Sequence, residues 1–559
     1  MKKRNLFILF LAMMASAGIK AAERSAAEMQ QIALATIKAK KVAGAGAMAS
    51  SRVQLSIVEN KNTYAVYANG DNGFVIVSRD DRFTPVLAYA NGKFDADRHS
   101  EGFKWWLQAT VSSMEAMLAD GETSLAPAKA SAFSVVQPMV TTEWGQETMP
   151  YYVYTPEIGN VKCAVGCAAL SIAEILNYHK YPESASFSGS YSVDGGSSYR
   201  YETVNSTYTW NFKDRYGQFS KDGTMNDMGY ASYSPSEGRA IGSLLRDCGY
   251  AVGMIYGAAS AAENVSVPRG LVNNFGYATE GTNMYFKDFY SEHEWNTMVH
   301  RELASGYPVL LFGTDPNNGY GHIFVGHGWD EDGLVAIEWG WMGVDNGYYA
   351  MDLLKGSKYG FTYNVGLVTA HPHKLSTDAF RSNWITEKPY QLKYNANANT
   401  LSIVLPEGIY NFDKEKFTGQ IALVLEKADN GEVGFISLTN NQDYSFEAFT
   451  GLGATSTQLS NCSFDPNTIY YVYLGTKDQR DVEWQPIRTI GGVMYYTLRT
   501  DGAGNATFDD DFTIDTAIDG VKADNTPQGN IRSYNVAGVK SSKGLVIVKD
   551  GKNVRKVFK

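Results

Sequence analysis

Past about Lys374 the chain loses helical periodicity and keeps only that of strands. "NTLSIVLPEGIY", "GQIALVLEKAD", "GEVGFISLT", "TIYYVYLGTKD", "GGVMYYTLRT" and "ATFDDDFTI" are short apolar runs at regular spacing, divided by turn residues. This pattern predicts a β-sandwich over residues 373–520. A sandwich cannot absorb the helices written upstream of it. A chain of 559 residues that changes period in this way must build more than one core. Its 36 tyrosines and 54 glycines suit an architecture rich in strands and turns.

Two further units precede the sandwich. "AAEMQQIALATIKAKKV" has helical spacing. The segment from Ser51 to Asp97 alternates like strands, with turns at Asn69–Gly73 and Asn91-Gly92. "HSEGFKWWLQATVSSMEAMLAD" returns to helix. Together these predict a compact α+β unit within 22–134, closed by an Ala/Pro/Ser-rich linker that begins at Leu125 and suits proteolytic cutting. Residues 135–372 then read as loops and a helix, two more helices ("PSEGRAIGSLLRDCGYAV", "DFYSEHEWNTMVHRELASGY"), and a late series of strands ("PVLLFG", "GHIFVGHGWDEDGLVAIEWGW", "GYYAMDLL"). Helices first and strands later predict an α+β layout with an antiparallel sheet.

The N-terminus places Lys2, Lys3 and Arg4 ahead of an apolar run from Leu6 to about Ala17, followed by small residues. It reads as a secretory signal peptide over residues 1–21, too short for a membrane span, and no other apolar run reaches membrane length. The expected location is therefore secreted or cell-surface. A net charge of -10 without a basic stripe argues against nucleic acid as a partner. Four cysteines are too few for a disulfide scaffold.

Two of those cysteines, Cys163 and Cys167, lie with His179 in "VKCAVGCAALSIAEILNYHKYP". Such a cluster suits a metal site, a disulfide, or a nucleophile with its base. Ala168, Ile172, Ile175, Leu176 and Tyr178 are spaced like one buried helix face, and the run stops before Pro182. Cys167 then sits at the first turn, where unpaired N–H groups and the helix dipole favour an anion and lower a thiol pKa. His179 falls about 18 Å away at the other end of the helix, a poor base or co-ligand. Zinc would need a second ligand pair at proper spacing, which the chain lacks. A Cys163–Cys167 disulfide is sterically open and would abolish the nucleophile. Cys248 and Cys462 read as packed thiols.

A nucleophile here needs a base from elsewhere. Of eight histidines, His322 is best placed: it opens the strand "HIFVGHGW" beside Gly321. A hairpin through Asp330-Glu331-Asp332-Gly333 would return "EWGWMG" alongside it, bringing Trp339 near the ring as a shield. Taken alone, His322 would be an ordinary sheet histidine. His327 belongs on the opposite face of the strand.

The motifs "WGQETMPY", "AVGCAALSIAEILNYHKYP", "GHIFVGHGWD" and "EWGWMGVDNGYY" resemble, in order and spacing, those of the streptopain family of secreted papain-like cysteine peptidases. "GFVIVSRDDRFTPVLAYANGKFD" is similar to that family's inhibitory propeptide. The resemblance spans about 25–372. It implies a papain-like catalytic domain held inactive by its own propeptide, with protein or peptide substrates and no metal or other cofactor. It implies Cys167 as nucleophile, His322 as general base, Gln146 as an oxyanion-hole donor, and Trp339 as the first tryptophan of an Asn-Trp-Gly-Trp motif supporting the histidine. Two positions depart from the pattern. The motif's asparagine is Glu338, which could accept from the imidazolium and favour its charged form, or point away. The glycine after the second tryptophan is Met342.

The expectation is a cysteine endopeptidase made as a zymogen. The competing reading is a catalytically silent surface protein that binds through a papain-like fold. A third, amide hydrolysis in cell-wall peptides, finds no wall-binding repeat. The last residues, 521–559, form a basic strand-rich module that resembles sorting signals of exported bacterial proteins and reads equally well as a closing β-hairpin.

Overall fold

The structure is a computed structural model that describes residues 23–40, 53–119, 133–193, 195–216, 233–314, 321–354, 364–509, 511–515, 532–535, 545–550 and 553–558. The signal peptide read at 1–21 and the first part of the linker, 125–132, lie outside the described residues. Two compact units are formed. The first takes the chain up to Val135 together with Trp329–Ile337 and Val344–Leu353; the second takes the remainder.

In the first unit, Ser25 and Glu28 form a reciprocal cap that starts the helix Ala26–Ala39. Its Met29, Ala33 and Ile37 are buried. The strands Ser56–Asn60, Tyr64–Ala68, Gly73–Ser78 and Val86–Asn91 follow as an antiparallel meander. The two middle strands are buried at every position, and the helix Glu101–Ala119 adds Phe103, Trp106 and Met114 to the unit's core.

The meander does not end at Val86–Asn91. That strand pairs with Gly347–Tyr349, which pairs in turn with Val335–Ile337. Side chains reinforce the main-chain ladder. The Tyr89 and Tyr348 rings stack at 4.9 Å. The Lys40 ammonium lies 2.8 Å from a carboxylate oxygen of each of Asp330, Glu331 and Asp332. His99 Nδ1 meets Asp345 at 2.9 Å, and the Ser100 N–H donates to the same carboxylate at 2.8 Å.

The second unit holds the helix Cys167–His179, buried all along from Ala168 to Asn177. Around it stand the helices Pro235–Ala251, Ser266–Phe275 and Glu292–Ala304. An antiparallel sheet places Val309–Thr314 between Gly321–Trp329 and Gly366–Val368, with Met284–Phe286 beyond the latter. Ile172, Ile175 and Leu176 share one core with Leu244, Leu245, Leu310 and Val325. Two elements go beyond the sequence reading: the helix Ser266–Phe275, and a hairpin of Ser184–Ser192 with Arg200–Thr207. The hairpin strands "SASFSGSYS" and "RYETVNST" are poor in branched apolar residues and the second is mostly exposed, so the sequence gives little strand signal.

Two sheets then enclose a separate core. One is centred on Phe417–Lys427, Ile469–Asp478 and Gly492–Thr500; the other is Gln391–Asn395, Thr400–Leu405 and Thr455–Ser460. Trp384, Leu401, Ile403, Leu423, Val472 and Leu498 fill the space between them. This is a β-sandwich that follows an α+β domain. Arg488 anchors it: its guanidinium reaches Glu294 at 2.6 Å and the Phe289 carbonyl at 2.8 Å. The strands Arg532–Asn535, Leu545–Asp550 and Asn553–Phe558 pair antiparallel at the C-terminus. No helix among the described residues is long and apolar enough to cross a membrane.

His371 links the helix Glu292–Ala304 to the chain entering the sandwich, contacting Glu302 at 2.6 Å and Asp378 at 2.9 Å. Burial pushes its pKa down, but the two carboxylates outweigh burial and raise it above the ordinary 6.5. A raised folded pKa gives stability that is fully present below about 6.5 and lost as pH rises through the folded value. The Tm difference between the parent and His371→Gln should therefore be largest near about pH 6 and shrink toward alkaline pH in a thermal-melt series. In the first unit, Lys40→Met strands the buried Asp330 carboxylate. It should cost about 3 kcal/mol, read as a lower urea midpoint for unfolding of that unit.

Candidate active site

The helix carrying Cys167 begins without a side-chain cap. Its N-cap, Gly166, has φ 90°, a conformation that strains any residue with a Cβ. A Cβ there would also lie 2.8 Å from the end of Met254. The glycine therefore lets the chain turn tightly into the helix, with the Cys167 N–H among the unpaired first-turn donors. Burial pushes the Cys167 thiol pKa up. It is outweighed by the charge and hydrogen bond of His322 and by the N–H groups of Ile323 and Ala168, so the net shift is downward. The structure thus brings together two residues 155 positions apart.

His322 lies near the start of the strand Gly321–Trp329, opposite Gly313, and is 8% exposed. Its Nε2 is 3.1 Å from the Trp339 carbonyl oxygen. A carbonyl oxygen can only accept, so Nε2 carries a proton and Nδ1 is left to face the Cys167 thiol. The Trp339 side chain is fully buried. Its indole packs on Phe324 at 4.6 Å, and the Phe324 ring lies nearly parallel to the His322 ring at 6.3 Å. Trp339 thus supports His322 through its backbone carbonyl, a contribution that side-chain identity does not reveal.

The same turn positions Gln146. The Gln146 side-chain amide donates to the Gly340 carbonyl at 3.3 Å, and its backbone carbonyl accepts from Val165 N–H at 3.0 Å. One end ties it to the loop before Cys167 and the other to the residue after Trp339. Glu338 accepts from the Gly340 N–H at 3.0 Å, so its hydrogen bond acts on the same peptide unit whose carbonyl is the acceptor of His322. Met342 has φ 58°, a left-handed conformation that favours glycine. Its N–H donates to the Trp144 carbonyl at 2.8 Å, and its side chain lies against Gly145.

The remaining candidates of the opening cluster lie apart from this site. His179 pairs with the Tyr277 hydroxyl at 2.9 Å. Burial, followed by the charges of His371 and His373, lowers its pKa to about 4. His327 accepts from the Val140 N–H at 3.2 Å, and burial lowers its pKa to about 4. Cys163 is buried and free, as is Cys248; Cys167 and Cys462 are free as well. No Cys163–Cys167 disulfide forms.

The sequence model of the peptidase C10 family matches residues 144–349, and that of the Spi protease inhibitor matches residues 20–114. The chain belongs to the peptidase C10 family. Streptopain from Streptococcus pyogenes is 28% identical over 399 residues, which take in 64% of this chain and 95% of streptopain. The thiol protease/hemagglutinin PrtT of Porphyromonas gingivalis is 27% identical over 314 residues, 53% of this chain but only 35% of PrtT. Prointerpain A of Prevotella intermedia is 30% identical, with 58% of this chain and 99% of that fragment covered and a TM-score of 0.49. This C10 chain is accordingly a cysteine peptidase with an inhibitor-type propeptide ahead of it.

Gly340 is the residue on which the C10 site turns. It has φ 72°, and a Cβ would lie 2.6 Å from Leu170 Cδ2. Gly340→Ala should displace both the Trp339 and the Gly340 carbonyls. A misplacement on the order of 1 Å costs about 100-fold in rate. That loss in kcat/KM should appear in peptide hydrolysis assays, with the far-ultraviolet circular dichroism of the parent retained.

Proposed function

We propose that this chain is a secreted endopeptidase, made as a zymogen, that hydrolyses peptide bonds of extended protein segments through a Cys167–His322 dyad and a thioacyl-enzyme. The observation that carries this reading is the Cys167 thiol, lowered in pKa by an imidazole whose far nitrogen is committed to the Trp339 carbonyl.

The chemistry follows from that arrangement. The Cys167 proton resides on His322, giving a thiolate–imidazolium pair at the positive end of a helix. The thiolate attacks the scissile carbonyl. The oxyanion that forms accepts hydrogen bonds from the Cys167 N–H and the Gln146 amide. His322 then gives its proton to the departing amine. Water, deprotonated by the now neutral His322, attacks the thioester and frees the second product and the thiolate. The Trp339 carbonyl accepts from Nε2 throughout and keeps the ring in one orientation.

The propeptide's part is supported by the strand Val86–Asn91 and by Lys40, His99 and Ser100. All of them hold segments on either side of residues 338–343. Cutting in the linker that begins at Leu125 would start its release. The N-terminal signal sequence supports export.

The test uses the secreted chain with casein and, separately, a thiol-directed epoxide. Labelling at Cys167 should appear once the propeptide is lost. Casein cleavage should fall to background in Cys167→Ala and in His322→Ala. Intact casein with an unlabelled Cys167 after propeptide removal would overturn the reading.

A further inference from the structure

Met342 stands where the resembled motif has glycine, and the backbone at this position suits glycine better. Its φ of 58° lies in the left-handed region, where a Cβ crowds the carbonyl oxygen that follows. A residue kept in such a conformation is held there by its surroundings, and the strain points to a role for the side chain. Three contacts of Met342 fall on one short segment, residues 144–148.

The flanks of that segment are secured by burial. Trp144 is fully buried, and its indole N–H donates to the Lys213 carbonyl at 3.0 Å. Tyr151 is fully buried too, and its N–H donates to the Thr148 carbonyl at 2.9 Å. Met342 grips the residues between. Its N–H donates to the Trp144 carbonyl at 2.8 Å. Its side chain lies against Gly145, where a Cβ would come within 2.6 Å of Met342 Cγ and 3.2 Å of Sδ. Its sulfur accepts from the Thr148 hydroxyl at 3.7 Å, a weak bond that sets where the thioether ends. Gly145 itself has no left-handed backbone. Its missing side chain is matched instead to the methionine laid over it.

Gln146 sits among these grips and is 8% exposed. Its own side-chain tether is slack: the amide nitrogen is 3.3 Å from the Gly340 carbonyl oxygen, longer than an ordinary N–H···O bond. The aim of the amide therefore depends on the main chain that carries it. That main chain is tied to the loop before Cys167 by the Val165 N–H at 3.0 Å, and to the turn after Trp339 by Met342. A donor to an oxyanion works only when it is aimed at the place the oxyanion will occupy.

We propose that Met342 is a positioning residue for Gln146: its side chain, laid against Gly145 and tethered by Thr148, holds residues 144–148 so that the Gln146 amide meets the tetrahedral oxyanion. The proposal rests on Gln146 being an oxyanion donor. Met342 touches no substrate in it. The glycine of the resembled motif would relax the backbone at 342 and leave Gly145 without its cover.

The test compares two reactions of Cys167 on the full chain after activation. Peptide hydrolysis passes through a tetrahedral oxyanion. Alkylation by iodoacetamide is a displacement at carbon and forms none. Met342→Gly relieves the left-handed strain and removes the clasp. It should lower kcat about tenfold with little change in KM, a fraction of the about 100-fold that loss of an oxyanion-hole donor costs. Its alkylation rate should stay at the parent's. Met342→Leu keeps similar bulk over Gly145 and should restore most of kcat. Gln146→Ala should lose about 100-fold by itself. Adding Met342→Gly to Gln146→Ala should cost nothing more, because the methionine acts through the glutamine.

A parental kcat in Met342→Gly would overturn the proposal. So would an undiminished loss in the Gln146→Ala background, or an equal loss in alkylation, which would place the effect on Cys167 and His322. If Met342→Gly fails to fold, Gly145→Ala decides, since it presses on the methionine from the other side. It should show the same split between hydrolysis and alkylation, and a parental kcat there counts against the proposal. Failure of the underlying reading looks different: Gln146→Ala would itself keep the parent's kcat, and the role of Met342 would fall with it.

Discussion

The hydrogen bond between His322 Nε2 and the Trp339 carbonyl governs the reactive centre. It sets the tautomer of the ring, leaving Nδ1 as the nitrogen without a proton in the neutral form. It also ties the start of one strand to the turn that carries Trp339 and Gly340. Gln146 is fastened to the next carbonyl along that turn. His322 and Gln146 thus share two consecutive backbone oxygens, and a shift of the turn moves both together. Catalytic groups assembled from distant parts of a chain need one such common reference, because independent anchors would let small errors add.

How much of this could be read from the amino acids depended on whether side chains or backbone did the work. Cys167 stood out because a glycine, a cysteine and a helical apolar stripe fell in order, and His322 because a strand opened on it. His179 could be set aside from helix length alone. The Trp339 carbonyl could not be read, since a backbone oxygen has no letter of its own. Met342 marked a departure from the resembled motif. Its left-handed backbone shows the physical reason a glycine suits that place. The Ser184–Thr207 hairpin escaped because its strands are built largely of serine, glycine, threonine and charged residues, with few of the branched apolar residues that mark a strand.

The sandwich is bound to the α+β domain through polar contacts with an apolar centre. Arg488 meets the capping carboxylate Glu294, so one glutamate both starts the helix Glu292–Ala304 and receives the anchor. Phe286 and Phe412 pack at 5.0 Å beside it. The sandwich is thereby built onto the α+β domain as part of the same unit.

The pairing of Val86–Asn91 with Gly347–Tyr349 carries a kinetic meaning. A propeptide held by a main-chain ladder, an ammonium among three carboxylates and a stacked tyrosine does not fall away when a single peptide bond in the linker is cut. Nicked and liberated enzyme are therefore distinct species, separated by a residence time. That time shortens with ionic strength, because two of the three Lys40 partners are solvent-exposed and readily screened. After departure, Gly347–Tyr349 is left as a sheet margin with unsatisfied amides.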